Sequence, residues 1–232
     1  SQGRADQQND QGADMIIIDC IQGSPEWHAV RCGKVTASRL GDMLAKTTKT
    51  KTGWGASRAN YAAELVAERL TGTSADKFTN AAMAWGSETE PQARAMYEFM
   101  TNETVGVVGC VIHPTIALSL ASPDGLVGSD GLIEIKCPNT ATHIQTLLGS
   151  EIDGKYVKQM QWQMACTERS WCEYVSYDPR MPAEMQLHVR RVYRDDAAIR
   201  EMEREVMTFL SEVDDTVRKL TERFPLVREA AE

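Results

Sequence analysis

The sequence predicts an α/β fold, α+β-like in arrangement, with a central mixed β-sheet flanked by helices. Three observations carry this. β-rich runs gather in the middle of the chain, at 105–112, 117–121 and 132–137, and return at 171–177 and 185–193. Helix-compatible segments precede and separate them. The chain closes on a long amphipathic stretch in which Ile199, Met202, Val206, Phe209, Leu210, Val213, Val217 and Leu220 recur at three- and four-residue steps. Strand runs set among helices imply a sheet with helical cover.

The first fourteen residues are polar and rich in Gln, Asp and Gly, and Met15 then opens an Ile16-Ile17-Ile18 run. Residues 1–14 read as a disordered or added tail ahead of a natural start, or as a native flexible tail, and 15–232 as a single domain. Ser24-Pro25-Glu26 is a helix start, with a cap residue and then proline in the first turn; the helix carries Trp27, His28 and Arg31 and stops near Gly33. A second helix is expected after Thr36, to about Lys46. The basic, glycine-containing segment 46–55 reads as an exposed loop. Helical composition resumes over 56–70 and ends at Thr71-Gly72. It recurs over 81–100, disturbed by Gly86 and Pro91, and again over 142–148 and 155–167.

With 232 residues, 42% of them hydrophobic, the chain can fill one sizeable core. No apolar run approaches bilayer length, and no basic segment followed by an apolar run opens the chain; a cytoplasmic protein is expected. The six cysteines form no C-x-x-C pair and read as reduced thiols. The four histidines have no ligand spacing. A net charge of -8 excludes a protein that coats nucleic acid by bulk charge, though not an enzyme with a locally basic channel.

The informative segment is Ser122-Pro123-Asp124-Gly125, followed by Leu132-Ile133-Glu134-Ile135-Lys136-Cys137-Pro138. In a strand Glu134 and Lys136 share a face, while Ile133 and Ile135 face a core. The turn at Gly128-Ser129-Asp130-Gly131 can fold the chain back as a hairpin and bring Asp124 beside Glu134. Two adjacent carboxylates repel unless something neutralises them, and a hard divalent cation such as Mg²⁺ does so. A lysine on the same face can then act on water or on developing charge. Acid-x-lysine alone is weak, because roughly one match is expected by chance in such a chain. Asp153-Gly154-Lys155 is a second match, taken as a loop feature. The competing reading is a hairpin bearing a surface Glu-Lys pair and a turn aspartate.

Around this core the sequence resembles the YqaJ-like viral recombinase family, the lambda-exonuclease group of the PD-(D/E)xK nuclease superfamily. The resemblance rests on Trp27-His28 with Arg31, Thr36-Ala37-Ser38, Ala84-Trp85-Gly86 with Glu90, and Ser122-Pro123-Asp124-Gly125. It continues through Glu134-Ile135-Lys136-Cys137-Pro138, Gln159 with Gln161, and Tyr177-Asp178-Pro179-Arg180, in the same order with similar gaps.

The resemblance implies a restriction-endonuclease-like fold and a Mg²⁺-dependent 5′→3′ exonuclease, with Mn²⁺ able to substitute. Such an enzyme digests one strand of linear duplex DNA and leaves 3′ tails for recombination. An endonuclease of the same superfamily is the alternative. Asp124, Glu134 and the Ile135 carbonyl would hold the metal, Lys136 would act on the nucleophilic water, and Glu90 would be a further active-site carboxylate. Arg31, Ser38, Ser122 and Gln159 would bind a 5′-phosphate, with Gln161 beside them on DNA. Trp27 and Trp85 read as core aromatics, and Trp27 could also part the strands. Loop 46–55 is either a DNA-contacting arm or a solvated loop. The resemblance further implies a ring-shaped homotrimer, a single-strand annealing protein as partner, and a phage or prophage origin.

Overall fold

The computed structural model describes residues 15–75 and 81–225, so the expectation for the tail 1–14 lies outside it. β1 (Ile16–Ile18) leads to α1 (Pro25–Arg31), where the Ser24 hydroxyl accepts from the Trp27 N–H and Pro25 occupies the first turn. That is the start expected from Ser-Pro-Glu. β2 (Val35–Thr36) follows. The helix expected next is reduced to a 3₁₀ turn (Ala37–Arg39) and the single turn α2 (Leu40–Met43). Leu40 and Met43 are both fully buried, so packing rather than helix length fixes this segment. α3 (Ala56–Thr71) ends on Gly72 at φ +66°, a left-handed cap that glycine adopts without strain. α4 (Ala81–Thr101) carries Pro91 internally.

Residues 105–112, read as one strand run, form two strands in two different sheets: β3 (Val105–Gly106) and β4 (Cys110–Ile112). β5 (Ser119–Ala121), β6 (Gly125–Val127) and β7 (Gly131–Lys136) come next. Then follow α5 (Thr140–Leu147) and α6 (Gly154–Thr167). β8 (Trp171–Tyr177), β9 (Leu187–Tyr193) and the long α7 (Asp196–Arg223) complete the described chain. Asp153, taken as part of a loop feature, instead caps α6 by accepting from the Lys155 N–H.

The α/β class holds, with the expected single sheet divided into two. One has the order β1-β4-β5-β2, the other β3-β6-β7-β8-β9. Each is mixed: β2 and β5 run parallel in the first, β7 and β8 in the second, and the remaining pairs are antiparallel. The parallel β7–β8 pair needs a crossover, and α5 and α6 supply it. Both faces of the five-stranded sheet are covered. Ile133 and Ile135 pack with Ala93 and Tyr97 of α4, whereas Leu132 packs with Met160 and Met164 of α6. A third cluster joins the four-stranded sheet to α3, α6 and α7 around Trp162 and Phe209. Among the described residues no helix is long and apolar enough to cross a membrane.

Candidate active site

Strand alternation places Glu134 on the face of β7 that α6 covers, and it is 1% exposed. A buried carboxylate needs donors on both oxygens. Here Lys136 Nζ and Gln159 Nε2 (2.7 Å) donate to Oε1, and Gln163 Nε2 donates to Oε2. Gln159 and Gln163 lie one helical turn apart on α6, so both reach down onto the strand. The antiparallel register Gly125↔Ile133 brings Asp124 level with Glu134. Asp124 Oδ2 accepts the Ile135 N–H at 2.6 Å, which locks that register. Burial pushes the Asp124 carboxyl well above its usual range, and the Glu134 charge pushes it further against the opposing pull of Lys136. Burial would lower the Lys136 ammonium, but Glu134 and Asp124 together raise it above the ordinary lysine range. Its Nζ also lies 4.9 Å from the Tyr156 ring centroid.

Glu90 reaches the same group from α4. Burial raises its carboxyl, Arg94 opposes this, and Glu134 adds to it. Arg94, one turn along the helix, forms an ion pair with it. Trp27, Arg31, Ser38, Glu90 and Arg94 line one cleft of about 740 Å³. The Arg31 guanidinium stacks on the Trp27 ring at 3.9 Å, and Trp27 Nε1 donates to Ser122 Oγ at 2.9 Å. Trp27, Arg31 and Ser122 are therefore one connected unit. Neither Trp27 nor Trp85 is a core aromatic, as both are half-buried; Trp162 is the tryptophan that fills the core.

Two expected residues stand elsewhere. Gln159 is spent on Glu134. Gln161 points to the opposite side of α6, where Nε2 donates to the Tyr193 carbonyl (2.8 Å) and Oε1 accepts from the Asp195 N–H (2.9 Å), joining α6 to the start of α7. Gln163 was not anticipated, and its four-residue spacing from Gln159 is the signal that could have found it.

Among the described residues no three His, Cys, Asp or Glu side chains converge to hold a metal ion. The group offers two carboxylates, Asp124 and Glu134, which repel each other in a buried setting. Such a pair suits Mg²⁺, which binds through one or two carboxylates and keeps several waters.

The model of the YqaJ-like viral recombinase domain matches residues 26–170, which span every strand and side chain of this group. The chain belongs to that family. Two solved structures of an alkaline exonuclease from Laribacter hongkongensis, one in complex with dAMP, are 53% identical to this YqaJ-like domain. Each match covers 86% of this chain and 97% of theirs, with a TM-score of 0.79. A phage-related exonuclease from Haemophilus somnus 129PT shares the fold at 16% identity, with a TM-score of 0.64 over 81% of this chain and 96% of its own. The curated proteins give no match. The family and the Laribacter structures support a nuclease role for the YqaJ-like domain.

Proposed function

We propose that this chain is a Mg²⁺-dependent 5′→3′ exodeoxyribonuclease acting on linear duplex DNA from a 5′-phosphorylated end. One observation carries the reading: Asp124, Glu134 and Lys136 adjoin, through Glu90, the cleft lined by Arg31 and Ser38. Asp124, Glu134 and the Ile135 carbonyl are the groups that would hold Mg²⁺, or Mn²⁺ in its place. Bound there, the ion supplies a lowered water pKa and a polarised phosphate. Lys136, kept charged by the two carboxylates, orients the attacking water and stabilises developing negative charge. Glu90 orients that water from the side of α4. The Arg31 fork, held flat on Trp27, receives the terminal phosphate, with Ser38 and Ser122 as hydroxyl partners. The dAMP held by the Laribacter relative is a deoxynucleoside monophosphate, the class of product that stepwise digestion of DNA releases. The reading extends to 3′ tails handed to a single-strand annealing protein, to a homotrimeric ring, and to a phage-encoded protein working in the cytoplasm.

The test is digestion of linear duplex labelled separately at its 5′ and 3′ ends, with and without 5′-phosphate, beside closed circular duplex. The 5′ label should leave first as mononucleotide, faster from phosphorylated ends, while circles survive. Lys136→Ala should slow release by roughly 10²–10⁴-fold. Early loss of the 3′ label, or cutting of circles, would overturn the proposal.

A further inference from the structure

The Tyr177-Asp178-Pro179-Arg180 motif and Trp85 have no part in the chemistry above, yet one guanidinium joins them. Asp178 lies just past β8 and is fully buried. Its carboxylate accepts from Arg180 at Nε (2.7 Å), Nη2 (3.0 Å) and the backbone N–H (3.0 Å). Arg180 Nη2 also donates to the Pro138 carbonyl at 3.3 Å, just past Lys136 at the end of β7. The flat of the same guanidinium lies 4.7 Å from the Trp85 ring centroid on α4. Arg180 therefore ties the ends of β7 and β8 to the helix that carries Glu90.

That helix needs an external tie. Its buried residues, Thr89, Ala93 and Tyr97, begin only at its ninth position, and residues 81–88 bury nothing fully. Pro91, directly after Glu90, has no N–H to return to the Ser87 carbonyl, so the backbone ladder loses a rung there. Gly86 adds a residue that holds helix weakly. Ala82 and Pro138 both border a cleft of about 390 Å³, so open space lies between the start of the helix and the end of β7 there. The first half of α4, up to Glu90, thus depends on side-chain contacts with the sheet.

We infer that Arg180 is a positioning residue for Glu90: by stacking on Trp85 while clamped to Asp178 and Pro138, it sets the first half of α4 against β7 and so aims the Glu90 carboxylate at the Asp124–Glu134 pair. The inference rests on the active-site role proposed for Glu90. Arg is required because its planar fork grips the carboxylate while its face stacks on the ring, and lysine cannot do both.

The experiment is a double-mutant cycle on 5′-phosphorylated linear duplex, comparing wild type, Arg180→Ala, Glu90→Gln and the double variant, with thermal unfolding of each. Arg180→Ala should lower kcat about tenfold, with KM for DNA ends unchanged. In the Glu90→Gln background the same change should cost nothing further, because its effect passes through Glu90. Arg180→Lys should recover little. If Arg180→Ala fails to fold, Trp85→Leu removes the stacking contact with the Asp178 ion pair left in place, and should show the same non-additivity. Independent losses that multiply in the double variant would overturn the inference while leaving Glu90's role intact. A Glu90→Gln enzyme as fast as wild type would instead remove Glu90 from the site, and the inference with it.

Discussion

Glu134 keeps its place through side-chain donors. Lys136, Gln159 and Gln163 divide its two oxygens between them, and Gln163, itself fully buried, is the donor on Oε2. Gln163→Leu keeps comparable bulk and removes that donor, leaving half of a buried carboxylate unsatisfied. Such a loss costs about 1–3 kcal/mol, and urea unfolding at fixed pH should show a deficit of that size. Unchanged stability would mean that Oε2 finds another partner. Asp124, Glu134 and Lys136 were legible in the sequence because period-two alternation and a glycine turn are local signals. The glutamines were less legible. Gln159, Gln161 and Gln163 alternate along the sequence, which suggests three equivalent residues. A helix turns about 100° per residue, so Gln159 and Gln163 share a face and Gln161 leaves it. Which face meets Glu134 is a matter of tertiary packing.

At the scale of elements, the β6–β7 hairpin is what aligns the two carboxylates, and Gly125 is its tightest point. A Cβ on Gly125 would meet Val105 Cγ1 at 2.1 Å and Ile133 Cγ1 at 3.2 Å. β3 already packs where a methyl group would go, so Gly125→Ala must part β3 from β6 or shift the hairpin. Overpacking of this kind costs about 1–3 kcal/mol, and the shift passes directly to Asp124, one residue away. Gly128 in the turn is the control: it sits at φ +53° with open space around it, so Gly128→Ala strains the backbone without crowding a neighbour. Gly125→Ala should lower both stability and nuclease rate, and Gly128→Ala stability alone. Equal rates in the two variants would sink the argument. The hairpin and the long helices were readable because their patterns run over many residues. β2, of two residues, leaves no periodic trace. The run at 105–112 is uniformly β-prone, so nothing local shows that it changes sheet midway. The reason is tertiary: a Cβ on Gly109 would stand 2.6 Å from the Ile18 carbonyl, so only glycine lets β1 lie this close.

Across the whole molecule, α6 is the member common to both sheets. Gln163 reaches Glu134 in the five-stranded sheet, and Trp162 Nε1 donates to Ser119 Oγ (3.0 Å) in the four-stranded one. His113, just after β4, is 1% exposed and stacks on Trp162 at 4.8 Å, with Nε2 3.3 Å from Glu203 of α7. This one imidazole thus touches the junction of sheet, α6 and α7. Burial, reinforced by the Arg194 charge, lowers its pKa from 6.5 to about 4. Between those values the unfolded chain binds a proton that the folded chain refuses. The stabilisation from neutral His113 is therefore complete above pH 6.5 and is lost as pH falls toward 4. At 1.36 kcal/mol per unit, the loss is at most about 3 kcal/mol, and Glu203 offsets part of it by pairing with the imidazolium. Urea unfolding of wild type and His113→Gln at pH near 7.5 and near 4.5 separates this contribution from the carboxylates, which both proteins share. The wild type should lose about 1–2 kcal/mol more on acidification than the variant. Equal losses would place the acid sensitivity of the junction on its carboxylates instead of on His113.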